Sequence, residues 1–231
     1  MQLVFIHGAL NDHRVWAAQS RYFTERGHKV MALDLPGHAS AAPALTSVSA
    51  MADWLLAQLD AAGVTQAALI GHSMGSLIAL EAAARAPQRV SHLVMLGSTY
   101  PMKVADALLD TARDDEAKAI NMVTKWSHTP GYAHPEPLRQ LMQSLSGAQL
   151  LHTDLAACNS YDGGDAAAAL VRCPTLFIFG SADVMTPAKS AAALVAAIPQ
   201  AQTITLASGH ALMTEQADAV NEAVLAFIGS Q

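Results

Sequence analysis

The chain predicts an α/β fold: a doubly wound, mostly parallel sheet of about six strands, with helices on both faces and a helical cap insertion. Three observations carry this expectation. Short apolar runs alternate with helical patterns over most of the 231 residues. Most of those runs are continuously apolar, as in strands covered on both faces, rather than alternating. One of them leads through Gly71-His72-Ser73-Met74-Gly75 directly into a helical pattern.

The strand-like runs are Leu3–His7, Lys29–Leu33, Ala67–Ile70, His92–Leu96, Thr175–Phe179 and Thr203–Leu206. Between them, Val48, Met51, Leu55, Leu56 and Leu59 repeat at helical spacing, and Gly63 closes that helix. Leu77–Arg85 is rich in strong helix formers. Thr186-Pro187 reads as a cap followed by proline at the first helical position, and Thr214 opens a last helix ending at Gly229. Such alternation implies right-handed crossovers and sites at the carboxyl ends of the strands. One segment breaks the rhythm. Residues 98–169 contain helical stretches (Met102–Lys118, Ile120–Lys125, Pro137–Leu145, Thr153–Asn159) and no convincing strand. Pro130-Gly131 and Gly163-Gly164 punctuate it. The expected organisation is a core of residues 1–97 and 170–231 with a helical cap of residues 98–169.

Composition narrows the function classes. The chain is 52% hydrophobic and 14% charged, with net charge −6 and no clustering of its few Lys and Arg, so a nucleic-acid footprint is not expected. Cys158 and Cys173 lack metal-site or redox spacing and read as ordinary thiols. The ten histidines include no His-x-x-x-His pair on a helix, so no metal and no cofactor is expected. The amino terminus opens on Leu3-Val4-Phe5-Ile6 without a basic leader, and no apolar run reaches membrane-spanning length. A cytoplasmic protein with no membrane partner is the expectation; nothing in the sequence sets the oligomeric state.

The pentapeptide places Ser73 at the apex of a sharp strand-to-helix turn, where a Cβ at either flanking glycine would crowd the crossing backbones. The helix amino terminus beneath the serine favours developing negative charge. A nucleophilic serine also needs a base, an orienting acid and amides for an oxyanion. Three loops that follow strand-like runs offer them. His7-Gly8-Ala9-Leu10 presents the Ala9 amide, which can share an oxyanion with the Met74 amide. Gly180-Ser181-Ala182-Asp183 presents an acid, and Ser208-Gly209-His210 a base. Each residue has a blander reading: Asp183 as a turn cap, His210 as a loop histidine, His7 and His72 as backbone props. Asp34 also follows a strand and competes for the acid role, but its Pro-Gly context suits a turn. The order Ser73, Asp183, His210 favours the catalytic reading.

Together these residues resemble the α/β-hydrolase superfamily, in its serine-esterase form with a helical cap. The resemblance rests on His7-Gly8, Asp34-Leu35-Pro36-Gly37-His38, Gly71–Gly75, Pro87-Gln88-Arg89-Val90, Gly180-x-x-Asp183-x-x-x-Pro187, and Gly209-His210 with Glu215-Gln216. It covers nearly the whole chain outside the cap. It implies Ser73 as nucleophile, His210 as base, Asp183 as acid, and Ala9 and Met74 as oxyanion donors. Ala39 departs from the family's glycine, and Ala217 from its frequent proline. The family's first two strands look absent, which leaves an edge strand to cover. The expected partner is a small-molecule ester, small to medium and apolar, held by Leu10, Met102, Met122, Trp126 and Met185. Carbon–carbon bond hydrolysis, lactone opening and perhydrolysis use the same residues, and a non-enzymatic receptor can share the fold. Turnover of simple esters separates the enzyme from the receptor.

Overall fold

The computed structural model describes residues 1–229; Ser230 and Gln231, the end of the expected core segment, lie outside the described residues. Six strands form one sheet: β1 (Gln2–Ile6), β2 (Lys29–Leu33), β3 (Ala67–His72), β4 (Val90–Leu96), β5 (Thr175–Gly180) and β6 (Ala201–Leu206). All neighbours pair in parallel, in the order β2-β1-β3-β4-β5-β6. Chain direction across the sheet reverses between β1 and β3, so a crevice opens at their carboxyl ends. The loops after those two strands carry Ala9 and Ser73.

Strand periodicity divides the core into two layers. Val4 and Ile6 of β1 face one side with Leu69, Met95, Phe177 and Phe179. Helices α2 (Val48–Ala61), α3 (Met74–Arg85), α8 (Gly164–Leu170) and α9 (Ala192–Ala197) cover that side. Leu3 and Phe5 face the other side with Ile70, Val94 and Ile178, under α1 (Ala17–Glu25) and α11 (Ala217–Gly229). Full burial of each such Leu, Ile or Phe contributes about 1.5–3 kcal/mol. The interior strands are apolar on both faces because both faces are covered. The edge strands β2 and β6 are only partly buried along their length.

Between β4 and β5 the described residues contain no strand. They form α4 (Asp106–Asp114), α5 (Glu116–Ser127), α6 (Glu136–Leu145), α7 (Leu150–Ser160) and α8. Leu108, Ala112, Ile120, Val123, Met142, Leu151 and Leu155 make a separate apolar cluster there, closed from below by Leu10. Three expectations change. The stretch Met102–Lys118 divides at Asp115, whose carboxyl accepts the Lys118 N–H (3.0 Å) and caps a new helix, α5. Gly163-Gly164 does not merely punctuate. It starts α8, and Gly164 is obligatory because a Cβ there would lie 2.3 Å from the Tyr100 ring. Ala167 and Ala168 of α8 pack with the sheet-side core rather than with the α4–α7 cluster.

Two helix starts also differ. Thr186-Pro187 opens a 3-10 turn, Ala188–Ala191, before α9, and the Thr186 side chain is used elsewhere. Thr214 lies inside a four-residue helix, α10 (Leu212–Glu215), with its hydroxyl bonded back to the Ala211 carbonyl (2.9 Å). Helix α11 then starts at Ala217. The α2 terminus is as expected, with Gly63 at φ +64°.

Candidate active site

Ser73 sits between β3 and α3 at φ +51°, ψ −119°, a conformation that costs a non-glycine residue about 1–3 kcal/mol. The crossing is too tight for side chains on either side. A Cβ on Gly71 would lie 2.2 Å from the Gly75 carbonyl oxygen, and one on Gly75 2.3 Å from that of Ile6. Ser76 Oγ, 2.5 Å from the Ser73 carbonyl oxygen and 2.7 Å from Ser98 Oγ, donates to the first and accepts from the second. The turn is thereby braced from below, and Ser73 is left at its apex.

Three strand ends converge on it. His210, in the loop after β6, brings Nδ1 to 2.8 Å from Asp183 Oδ2, in the loop after β5. Asp183 also accepts the Met185 and Thr186 amides on Oδ1 (2.8 and 2.9 Å) and the Thr186 hydroxyl on Oδ2 (2.7 Å). Asp183 therefore both caps the turn and receives the imidazole. Burial alone would raise its carboxyl, but the His210 charge, the His210 hydrogen bond and the Thr186 donors together hold it well below the usual carboxylate range. Thr186 Oγ1 lies 3.0 Å from His210 Nδ1 as well. With Nδ1 facing two oxygens, the ring proton belongs there and Nε2 keeps its lone pair. No hydrogen bond joins Ser73 Oγ to His210 among the described residues; such contacts commonly tighten only when substrate is bound.

The props are also in place. Leu35 N–H donates to His7 Nε2 (3.1 Å), so His7 Nδ1 carries the proton and donates to the Gly8 carbonyl (2.8 Å). His72 Nε2 donates to the His210 carbonyl (2.9 Å). Burial, then the charge of a neighbouring histidine, pushes both His7 and His72 down to about 3, so both are neutral braces. The Met74 N–H opens α3 and has no intrahelical acceptor. The Ala9 N–H has no acceptor among the described residues. Asp34, the rival acid, is bound to the His13 amide and ring (2.8 and 2.9 Å), away from His210.

Ser73, His210, Gly8 and Ala9 line a cavity of about 460 Å³, whose far wall is Leu108, Val123, Met142, Leu151 and Leu155. Of the residues expected to hold the substrate, Met102, Trp126 and Met185 line this cavity. Leu10 and Met122 do not. Leu10 is fully buried beneath the α4–α7 cluster, and Met122 packs on that cluster's side. Val123, the neighbour of Met122, takes the wall position instead, which apolar composition alone could not tell apart. Cys158 also lines the cavity; burial pushes its thiol far up, and both cysteines are free. Among the described residues, Asp12, His13 and Asp34 bring possible metal-ligand atoms within 4.8 Å of one another. Arg14 already holds both Asp12 oxygens (3.0 Å to Oδ1 and 2.7 Å to Oδ2), and His13 both of Asp34 (2.9 Å). No described helix is long and apolar enough to cross a membrane.

The pattern of the α/β-hydrolase fold matches residues 2–119. The chain belongs to the α/β-hydrolase family. This α/β-hydrolase is 31% identical over 254 residues to a pimeloyl-[acyl-carrier protein] methyl ester esterase of Xanthomonas oryzae, covering 99% of this chain and 95% of that one. It is 30% identical over 222 residues to a Klebsiella pneumoniae protein provisionally named a carbamate hydrolase, covering 89% and 83%. Among solved structures, an esterase from Exiguobacterium antarcticum superposes with a TM-score of 0.87 at 20% identity, over 99% of this chain and 91% of that one, a likeness of fold. The α/β-hydrolase described here is a hydrolase, with esterases among its relatives.

Two site features escape the sequence reading. Thr186 reads as a helix cap but serves Asp183 and His210. Asp154, which follows His152 and Thr153 on α7, reaches the loop of Ala9; the one signal for it is that it is the sole acid of that helix.

Proposed function

We propose that the protein is a carboxylic ester hydrolase that forms an acyl-enzyme on Ser73 and takes small or medium apolar esters. The observation that supports it most is the His210–Asp183 contact placed with the strained Ser73 turn in the wall of one apolar cavity. His210 Nε2 takes the Ser73 proton as Oγ attacks the ester carbonyl. The Ala9 and Met74 amides receive the oxyanion. His210 then protonates the leaving alcohol, and water attacks the acyl-enzyme with His210 again the base. Asp183 keeps the imidazole in one tautomer and offsets its transient charge. Residues 98–169 serve as the cap: α4, α5, α6 and α7 supply the apolar wall for the acyl chain. The cavity volume lies in the range of small-molecule sites and most lining residues are apolar; the lysine among them, Lys103, donates to the Asn159 carbonyl (2.9 Å).

The test is hydrolysis of p-nitrophenyl esters from acetate to decanoate by the wild type and by Ser73→Ala. Loss of at least about 10⁴-fold in kcat in the variant is expected, with a chain-length optimum set by the α4–α7 wall. A Ser73→Ala protein as active as the wild type would sink the proposal. So would a wild type inert to every ester and unlabelled by a fluorophosphonate.

A further inference from the structure

The loop that carries the Ala9 amide has an unusual anchor. Leu10, next in sequence, is fully buried and adopts φ +46°, the left-handed region that a branched aliphatic residue avoids. Its N–H donates to Asp154 Oδ2 at 2.8 Å, across 144 residues of sequence. Asp154 is itself fully buried on α7. The same oxygen lies 2.8 Å from His38 Nε2, and Oδ1 has no partner. His38 Nδ1 in turn faces the Pro36 carbonyl at 3.3 Å. An acceptor at each ring nitrogen favours the doubly protonated form of His38. Its ring lies 4.7 Å from that of His7, the donor to the Gly8 carbonyl. Gly8, through its carbonyl, and Leu10, through its N–H, are thus both held, and Ala9 lies between them with its N–H free.

A buried pair placed only for stability would have no reason to include a strained loop amide. An isolated buried pair of charges is a weak source of stability, because desolvation offsets most of the attraction. What this carboxyl fixes is a direction. A peptide plane at φ +46° that lost its acceptor would relax toward the ordinary region, and the neighbouring Ala9 N–H would turn with it. Oxyanion donors act only when aimed at the place the charge develops.

We propose that Asp154 is a positioning residue for the oxyanion hole, holding the Leu10 N–H so that the Ala9 N–H points at the reacting carbonyl. The inference rests on the Ser73 reading above. Through Asp154, α7 sets not only the wall of the cavity but also the aim of a donor. His38 neutralises the carboxyl that does so.

Two variants and one measurement on the wild type test it. His38→Leu combined with Asp154→Leu replaces the buried pair by apolar groups of similar size and leaves the Leu10 N–H without an acceptor. Asp154→Asn keeps an oxygen at that place. The double variant is expected to unfold cooperatively like the wild type, yet to lose roughly 10- to 100-fold in kcat with KM changed less than about twofold. Fluorophosphonate labelling of Ser73 slows in step. Asp154→Asn is expected to stay within about threefold of wild-type kcat. In the wild type, the Leu10 amide is expected to exchange with deuterium only as slowly as the β1 amides.

A double variant with wild-type kcat overturns the inference, as does Asp154→Asn falling as far as the double variant. Rapid exchange of the wild-type Leu10 amide overturns it too. If the double variant does not fold, Asp154→Asn and the exchange rate decide. A wild type that is neither labelled nor active removes the Ser73 reading instead, and the Leu10 exchange rate then reports the anchor alone.

Discussion

Among the described residues, two buried histidine–carboxyl pairs have the same 2.8 Å contact and different fates. In the His210–Asp183 pair every good acceptor site on the carboxylate is used: two amides, a hydroxyl and the imidazole. The imidazole is bound through one nitrogen only, and its other edge belongs to the cavity wall. In the His38–Asp154 pair the imidazole is bound at both nitrogens, lies away from the cavity, and shares a single carboxyl oxygen with a loop amide. A histidine can carry a proton between other groups only if one nitrogen is left open. Contact distance does not distinguish a pair suited to proton transfer from one suited to holding a loop. The number of committed ring nitrogens does.

Substituting each acid by its amide tests the contrast most sharply. Asp183→Asn is expected to lower kcat by about 10⁴-fold, because the amide favours the wrong imidazole tautomer. Asp154→Asn, by comparison, leaves an acceptor where Leu10 needs one. Steady-state kinetics on one p-nitrophenyl ester ranks the two; equal losses would erase the distinction.

Thr186→Val comes next. It removes one donor from the Asp183 carboxylate and one oxygen from beside His210 Nδ1. A hydrogen bond to a charged group is worth about 1.5–3 kcal/mol, so a loss of roughly tenfold or more in kcat is expected. Thr186→Ser, which restores the hydroxyl, should recover most of it. A valine variant as fast as the wild type would show that the hydroxyl serves the turn alone.

The two pairs also answer to opposite ends of the pH scale. Burial opposes the charge on His38, but the Asp154 hydrogen bond and charge outweigh it and raise His38 above its ordinary 6.5. Its contribution to stability is complete below that value and is lost as pH rises through the higher folded one. Asp183 is depressed from 3.8, so its contribution is present above that value and is lost as pH falls through the lower folded one. Urea midpoints measured from pH 6 to 9 should therefore decline more in the wild type than in the His38→Leu, Asp154→Leu double variant. Parallel curves would contradict the charged His38.

The smallest effect concerns the residue after His38. Ala39 holds φ +49° where a glycine would be unstrained. Ala39→Gly is expected to stabilise the fold by about 0.5–1 kcal/mol, read as a rise in urea midpoint with kcat unchanged.

Sequence and structure agree wherever the signal is local. Each of the six strands announces itself as an apolar run, and the ends of β1, β3, β5 and β6 carry Gly8, Ser73, Asp183 and His210 within a few residues of the last apolar position. Adjacent strands then bring those loops together, so the meeting of Asp183 with His210 follows from topology. Helix boundaries between β4 and β5 are less legible. Asp115 and Gly164 act through a cap and a ring contact, neither of which alters hydrophobic periodicity. The cavity lining is harder still: Met122 and Val123 are both apolar, and only the rotation of α5 decides which faces inward. Asp154 is the extreme case, since its partners, Leu10 and His38, lie more than a hundred residues away in unrelated loops.

The loop of His210 is stitched to the segment after α5. Ala211 N–H donates to the Ser127 carbonyl (2.8 Å), and Glu215 accepts the Thr129 amide and hydroxyl (2.7 and 2.6 Å) together with the Gly209 amide (3.1 Å). A Cβ on Gly209 would lie 2.7 Å from the Thr129 nitrogen. The end of α5, the segment after it and the loop of His210 are thus one assembly. Any segment put in place of this one must bring its own carbonyl for Ala211 and its own donors for Glu215. Side chains on the inner faces of α4, α5, α6 and α7, by contrast, can change without touching any of these bonds.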